Sequence, residues 1–163
     1  MAARNNPAVT MMLPTEREIL ITRAFDAPRS LVFEAYTNPE HLPHWLLGPP
    51  GWTMTVCEID LRPGGAWHWV WRHTDGQEME MRGIYKEVAP PERIVSTESW
   101  GGDWPETTNT VTFTEEDGQT TISITILYPS QEARDAALKT GMKEGLSMSY
   151  DRLSAHLQAM ARS

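Results

Sequence analysis

Cysteine occurs once, at Cys57, so the chain cannot close an internal disulfide and suits a reducing cytoplasm. Basic residues are the minority: 14 Lys and Arg stand against 22 Asp and Glu, a formal charge of −8. Nucleic acid and anionic membrane surfaces select clustered Lys and Arg, and no basic run occurs, so neither is expected as a partner. No apolar stretch approaches the ~20 residues that cross a bilayer, and the N-terminus shows no hydrophobic signal segment. Phosphate-loop, dinucleotide and G-x-S-x-G signatures are missing, the last leaving Ser147 and Ser149 without a nucleophile elbow. Phenylalanine is scarce as well, with three residues, whereas Trp occurs seven times and Met nine. Flat rings and flexible thioethers suit an adaptable apolar cavity, and equally an irregular core.

At 163 residues the chain fits one domain that can bury roughly 68–70% of its unfolded surface. Residues 1–15 have no period and two prolines, and read as a flexible tail, leaving 16–163 as one domain. Residues 16–25 alternate as a strand. "DAPRSLVFEAY" reads as a short helix with Asp26 as its cap and Pro28 in the first turn, and "PEHLPHWLL" as a second short helix. Six alternating stretches follow, at 53–61, 66–73, 78–88, 93–100, 107–115 and 119–127, separated by punctuation too short for parallel crossovers. Residues 130–161 read as one long helix capped by Ser130, with Met142, Leu146, Ser149, Leu153, Leu157 and Met160 on one face. Gly141 and Gly145 on or near that face imply close approach to the sheet or room for a guest. The expected fold is α+β, a curved antiparallel sheet wrapped around a long C-terminal helix, in the order β-α-α-β6-α.

Within this frame "GGAWHWVWRH" (64–73) holds the densest signal: Trp67, Trp69 and Trp71 fall at every second position and so point to one side of a strand. Burying each ring contributes up to roughly 4–6 kcal/mol at ~25 cal/mol/Å². Each indole also carries an N–H, and an N–H buried without an acceptor costs about 1–3 kcal/mol. Three acceptors are hard to supply in hydrocarbon, which favours the wall of a wet or ligand-filled cavity; a plain aromatic core is the alternative. Met79, Met81 and Tyr85 continue the wall on the next strand, and Gly83 between them would deepen it.

The segments "ITRAFDAPRSLVFEAYTNPEHLPHWL", "IDLRPGGAWHWVWR", "DGQEMEMRGIYKEVAPPERIVSTESW" and "GMKEGLSMSYDRLSAHL" together resemble the START-like, or SRPBCC, helix-grip superfamily. More narrowly, they resemble homologues of the activator of heat-shock protein 90 ATPase. That resemblance implies the same element order, a hydrophobic ligand cavity between sheet and long helix, and a place in stress response. The eukaryotic co-chaperones of the family carry a separate N-terminal domain. Here about fifteen residues precede the first expected strand, and "RNN" at 4–6 is too small to stand in for that domain.

The expected function is therefore binding of a small hydrophobic molecule, aromatic or lipid-like, with no cofactor and no assigned catalytic residue. The expected ligand-binding residues are Trp45, Trp67, Trp69, Trp71, Met79, Met81, Tyr85, Glu87, Trp100, Met142, Leu146 and Ser149. Trp45 lies where the resemblance puts the mouth, and Trp100 and Trp104, flanking "GGD", either gate the entrance or cover an edge. Glu87 shares the Tyr85 face if its strand stays regular, and would be a buried carboxylate of raised pKa. Asp60 and Arg62 read as a structural corner, and Cys57 as a small core residue. His41, His44, His68 and His73 lack the convergent set a zinc ion needs, so no metal is expected. Two other readings stay open: a module docking on heat-shock protein 90, and a cyclase-, aromatase- or hydrolase-type enzyme using the same cavity. A cytoplasmic monomer or weak homodimer is expected.

Overall fold

The computed structural model describes residues 8–102 and 104–162. In chain order the elements are β1 (Thr10–Met12), β2 (Glu18–Phe25), α1 (Arg29–Thr37), α2 (Leu42–Trp45), β3 (Trp52–Ile59), β4 (Ala66–His73), β5 (Glu78–Ala89), β6 (Arg93–Glu98), β7 (Thr107–Glu116), β8 (Gln119–Leu127), α3 (Gln131–Leu138) and α4 (Met142–Ala161). One antiparallel sheet runs β1-β2-β8-β7-β6-β5-β4-β3, curved about the helices as the alternating stretches predict.

Two elements depart from the sequence reading. Residues 10–12, placed in the tail, form an edge strand in which Met11 pairs Ile21 and Met12 pairs Leu20; three residues are too few to show a period. The rest of that tail, 1–7 with its "RNN", lies outside the described residues. The single helix expected over 130–161 is two. Ser130 caps α3 as predicted, its hydroxyl accepting from the Ala133 N–H at 3.0 Å. Thr140 Oγ1 then donates to the Ala137 carbonyl at 2.7 Å, and Gly141, at φ 78°, turns the chain into α4. That left-handed backbone is why glycine stands there, and it places Gly141 at a helix boundary rather than on a face toward the sheet. Asp26 does not cap α1 either. Pro28 occupies the cap position, and the Glu115 carboxylate of β7 accepts from the Arg29 N–H at 2.8 Å.

The concave face is built in rows across the strands. Ile21, Ile124, Val111 and Ile94 form one row; Ile19, Ile126, Asn109, Ser96 and Tyr85 form the next. Over the β2-β8-β7 half, α1, α2 and α4 bring in Phe33, Tyr36, Trp45 and Tyr150, which pack among themselves and with Phe25 and Phe113 at ring separations of 5.2–6.5 Å. That half is a dry aromatic core. The β3-β4-β5 half carries the tryptophans.

Candidate functional site

Trp67, Trp69 and Trp71 project from one face of β4, as the alternation predicts. Trp67 is 3% and Trp71 7% exposed, and Trp69 is partly buried. Neighbouring strands supply the rest of the wall: Ile59, Cys57 and Met54 of β3 pair with the three indoles in turn, and Gly83, Met81 and Met79 of β5 do so from the other side. The rings run on from one another, with centroids 4.3 Å apart for Trp67 and Trp69 and 6.0 Å for Trp69 and Trp71. Trp100, beyond β6, extends the series by stacking on Trp71 at 6.2 Å and 17°.

The indole N–H groups divide sharply. Trp71 Nε1 donates to the Leu46 carbonyl at 2.7 Å, and Trp45 Nε1 to the Ala35 carbonyl at 3.0 Å. Trp67 Nε1 and Trp69 Nε1 are buried and have no acceptor among the described residues. Together the two orphans cost about 2–6 kcal/mol, less than burial of their rings contributes, so the stripe holds while its donors stay available. Gly83 does not deepen the wall: a Cβ there would sit 2.6 Å from Trp67 Nε1 and 1.9 Å from the Thr97 carbonyl oxygen, so the indole already fills that space.

Glu87 is not on this wall. The β5–β6 register shifts between Tyr85, which pairs Ser96, and Glu87, which pairs Val95. One extra residue in β5 reverses the alternation and turns Glu87 outward, where it pairs with Arg93 at 3.2 Å. The carboxylate on this side is instead Glu98 of β6, partly buried. Its Oε1 accepts from Trp100 Nε1 at 3.1 Å and its Oε2 from Asn109 Nδ2 at 2.8 Å. Burial pushes its carboxyl up to about 7, against the opposing effect of these two hydrogen bonds. The sequence did carry a signal for it: Ile94, Ser96, Glu98 and Trp100 alternate just as the tryptophans do. Tyr85 stays on the wall, buried, and desolvation raises its phenol well above the ordinary value.

On the helix side, Ser149 is buried and its Oγ accepts from the Gly48 N–H at 2.8 Å. Gly145 of α4 lies against Pro49, whose Cδ would be 3.7 Å from an added Cβ. Residues 46–49 therefore bridge α4 and β4, and the space expected beside Gly145 is taken by proline. Met142 and Leu146 are partly buried against the core. Trp45 is fully buried among Tyr36 and Tyr150, so it is part of the dry core and not of a mouth. Met79, 39% exposed, and Trp100, 40% exposed, mark where the tryptophan wall reaches the surface.

The remaining candidates serve structure. Arg62 Nε donates to Asp60 Oδ1 at 3.0 Å within the β3–β4 turn. Burial raises the Cys57 thiol to about 11. His68 points away from the indoles, between Glu58 and Glu80. His41 and His44 gather with His156 of α4, at ring separations of 5.0 and 5.1 Å. Among the described residues no group of three or more His, Cys, Asp or Glu is placed to hold a metal ion, and no helix is long and apolar enough to cross a membrane. Two surface hollows open beside α3, one lined by Gln131, Asp135 and Lys139, the other by Trp104, Pro105 and Pro129; neither touches the tryptophan wall.

Solved structures share this architecture. A protein from Rhodobacter sphaeroides is 28% identical over 93% of this chain and 99% of its own, with a TM-score of 0.89. One from Mycobacterium smegmatis is 30% identical over 93% of this chain and 97% of its own, with a TM-score of 0.81. An AHSA1-like protein from Aeromonas hydrophila, at 20% identity over 84% of this chain and 93% of its own, shares the fold with a TM-score of 0.69. No curated protein matches the sequence. The family model described as Activator of Hsp90 ATPase homolog 1-like protein spans residues 26–158, across both short helices, the six strands β3 to β8, α3 and most of α4, and the chain belongs to that family.

Proposed function

We propose that the chain binds a small hydrophobic molecule, aromatic or lipid-like, against the wall formed by Trp67, Trp69, Trp71, Met79, Met81 and Tyr85. The observation that carries this reading is the pair of buried indole N–H groups, Trp67 Nε1 and Trp69 Nε1, with no acceptor among the described residues. Apolar rings and thioethers supply affinity, and a ligand oxygen placed between the two donors fixes orientation. Entry lies between Trp100, Met79 and the 46–49 segment, where the wall meets the surface.

A screen of aromatic and lipid-like compounds by thermal shift and tryptophan fluorescence tests the reading. Saturable stabilisation by compounds carrying a carbonyl or ether oxygen, weakened in Trp67→Phe and Trp69→Phe, is expected. No response from any apolar compound would overturn it. The family description also suggests docking on heat-shock protein 90. Retention of that chaperone with stimulated ATP hydrolysis, in a chain deaf to every apolar compound, would put that reading in its place.

A further inference from the structure

We infer that the molecule held by the tryptophan wall carries a basic nitrogen, and that Glu98 takes it as an ion pair. The inference rests on the binding reading above and names the chemistry of its ligand.

Glu98 sits on the concave side of β6, opposite Thr107 of β7 and within a row of the sheet of Asn109. Its two carboxylate oxygens meet one neutral donor each, the Trp100 indole and the Asn109 amide. An ionised carboxylate offers about four acceptor sites, so half remain open. None of the ion pairs among the described residues includes Glu98: the buried Arg23 is held by Asp151 at 2.8 Å, and Arg93 by Glu87. A carboxylate even partly withdrawn from water, as Glu98 is, gains from a matching cation or a proton. Among the described residues no cation pairs with Glu98, and the molecule as a whole is anionic, which draws cations toward it.

The surroundings favour an organic cation over a metal ion. Trp100, which donates to Glu98, lies with its ring stacked on Trp71, so one aromatic layer joins the carboxylate to the wall. The phenols of Tyr36 and Tyr128 also feel the carboxylate, and burial together with that charge holds each at about 12. Neutral rings around one carboxylate accept the methyl and methylene groups of an amine while the carboxylate meets its charge. An inorganic cation would want several such ligands, and no group of three or more His, Cys, Asp or Glu that could hold one occurs among the described residues.

The test uses two esters of the same shape, 2-(dimethylamino)ethyl benzoate and 3-methylbutyl benzoate, which differ only in a protonated nitrogen against a carbon. Both carry the ring and the carbonyl that the wall requires. Calorimetry on the full chain at pH 8 should show the amine binding at least about tenfold tighter than the carbon ester. Glu98→Gln should erase that preference while leaving affinity for the carbon ester unchanged. In the unmutated protein, with no variant needed, amine binding at pH 7 should release protons as Glu98 becomes ionised, and the preference should shrink below pH 6. Equal binding of the two esters, or a preference that survives Glu98→Gln, would overturn the inference and leave the hydrophobic-binding reading standing. Binding of neither ester would count against both.

Discussion

The Trp71 indole N–H donates to the Leu46 carbonyl at 2.7 Å, tying β4 to the segment after α2, whereas Trp67 and Trp69 on the same strand find no acceptor among the described residues. Replacing each in turn by phenylalanine should separate these roles. Trp71→Phe strands a carbonyl and should lower stability by about 1–2 kcal/mol more than Trp67→Phe, which removes a donor already unpaired. Urea unfolding measures the difference. Equal losses would mean that Trp67 has an acceptor in solution.

Gly83 and Gly145 make opposite predictions. An added Cβ at Gly83 meets the Thr97 carbonyl at 1.9 Å and Trp67 Nε1 at 2.6 Å, and backbone cannot move aside cheaply. Gly83→Ala should cost about 3 kcal/mol or more. At Gly145 the nearest atom is Pro49 Cδ at 3.7 Å, an ordinary contact. Gly145→Ala, inside α4, should be neutral or stabilise by up to about 1 kcal/mol. Thermal unfolding of the two variants checks both signs.

Glu98 should leave a mark on stability against pH. Its carboxyl is raised from 4.5 to about 7, so between those values the native state keeps a proton that the unfolded chain has lost. Stability from this group therefore falls as pH rises through that window, by on the order of 2–3 kcal/mol in all. His156 acts in the opposite sense. Burial and the neighbouring His41 and His44 lower its pKa, so acidification through the ordinary histidine range destabilises the native state. The difference between unmutated protein and Glu98→Gln, measured from pH 4.5 to 7.5, isolates the carboxylate. A flat difference would contradict its burial without a cation.

Glu87 should be silent. It lies on the outer side, in an exposed pair with Arg93, and such pairs contribute roughly 0–1 kcal/mol. Glu87→Gln should leave ligand affinity unchanged and alter stability only slightly, by equilibrium titration and unfolding. A large loss of affinity would mean that the β5 bulge is absent in solution.

These contrasts show what the sequence can and cannot display. Alternation was enough to turn Trp67, Trp69 and Trp71 inward, because a period of two survives wherever a strand stays regular. The same rule placed Glu87 inside and failed, because a bulge at Lys86 leaves no trace in the residues themselves. Glu98 was legible by alternation from Ile94, yet a glutamate near the end of a strand reads first as surface. Trp45 lay beyond local reading altogether, since its burial depends on how α1, α2 and α4 meet over the sheet. Helical spacing at Gly141 points to close approach to the sheet or room for a guest; its left-handed backbone is a property of the chain turn, which that spacing conceals.

In the proposed binding, the Trp67 and Trp69 indole N–H groups donate to a ligand oxygen. Nitrogen–proton spectra of the seven tryptophan side chains, recorded while 3-methylbutyl benzoate is added, address it atom by atom. The Trp67 and Trp69 signals should move saturably downfield as their N–H groups gain an acceptor, while Trp45, already bonded to the Ala35 carbonyl, stays in place. Saturable binding that leaves both of those signals unmoved would contradict the account.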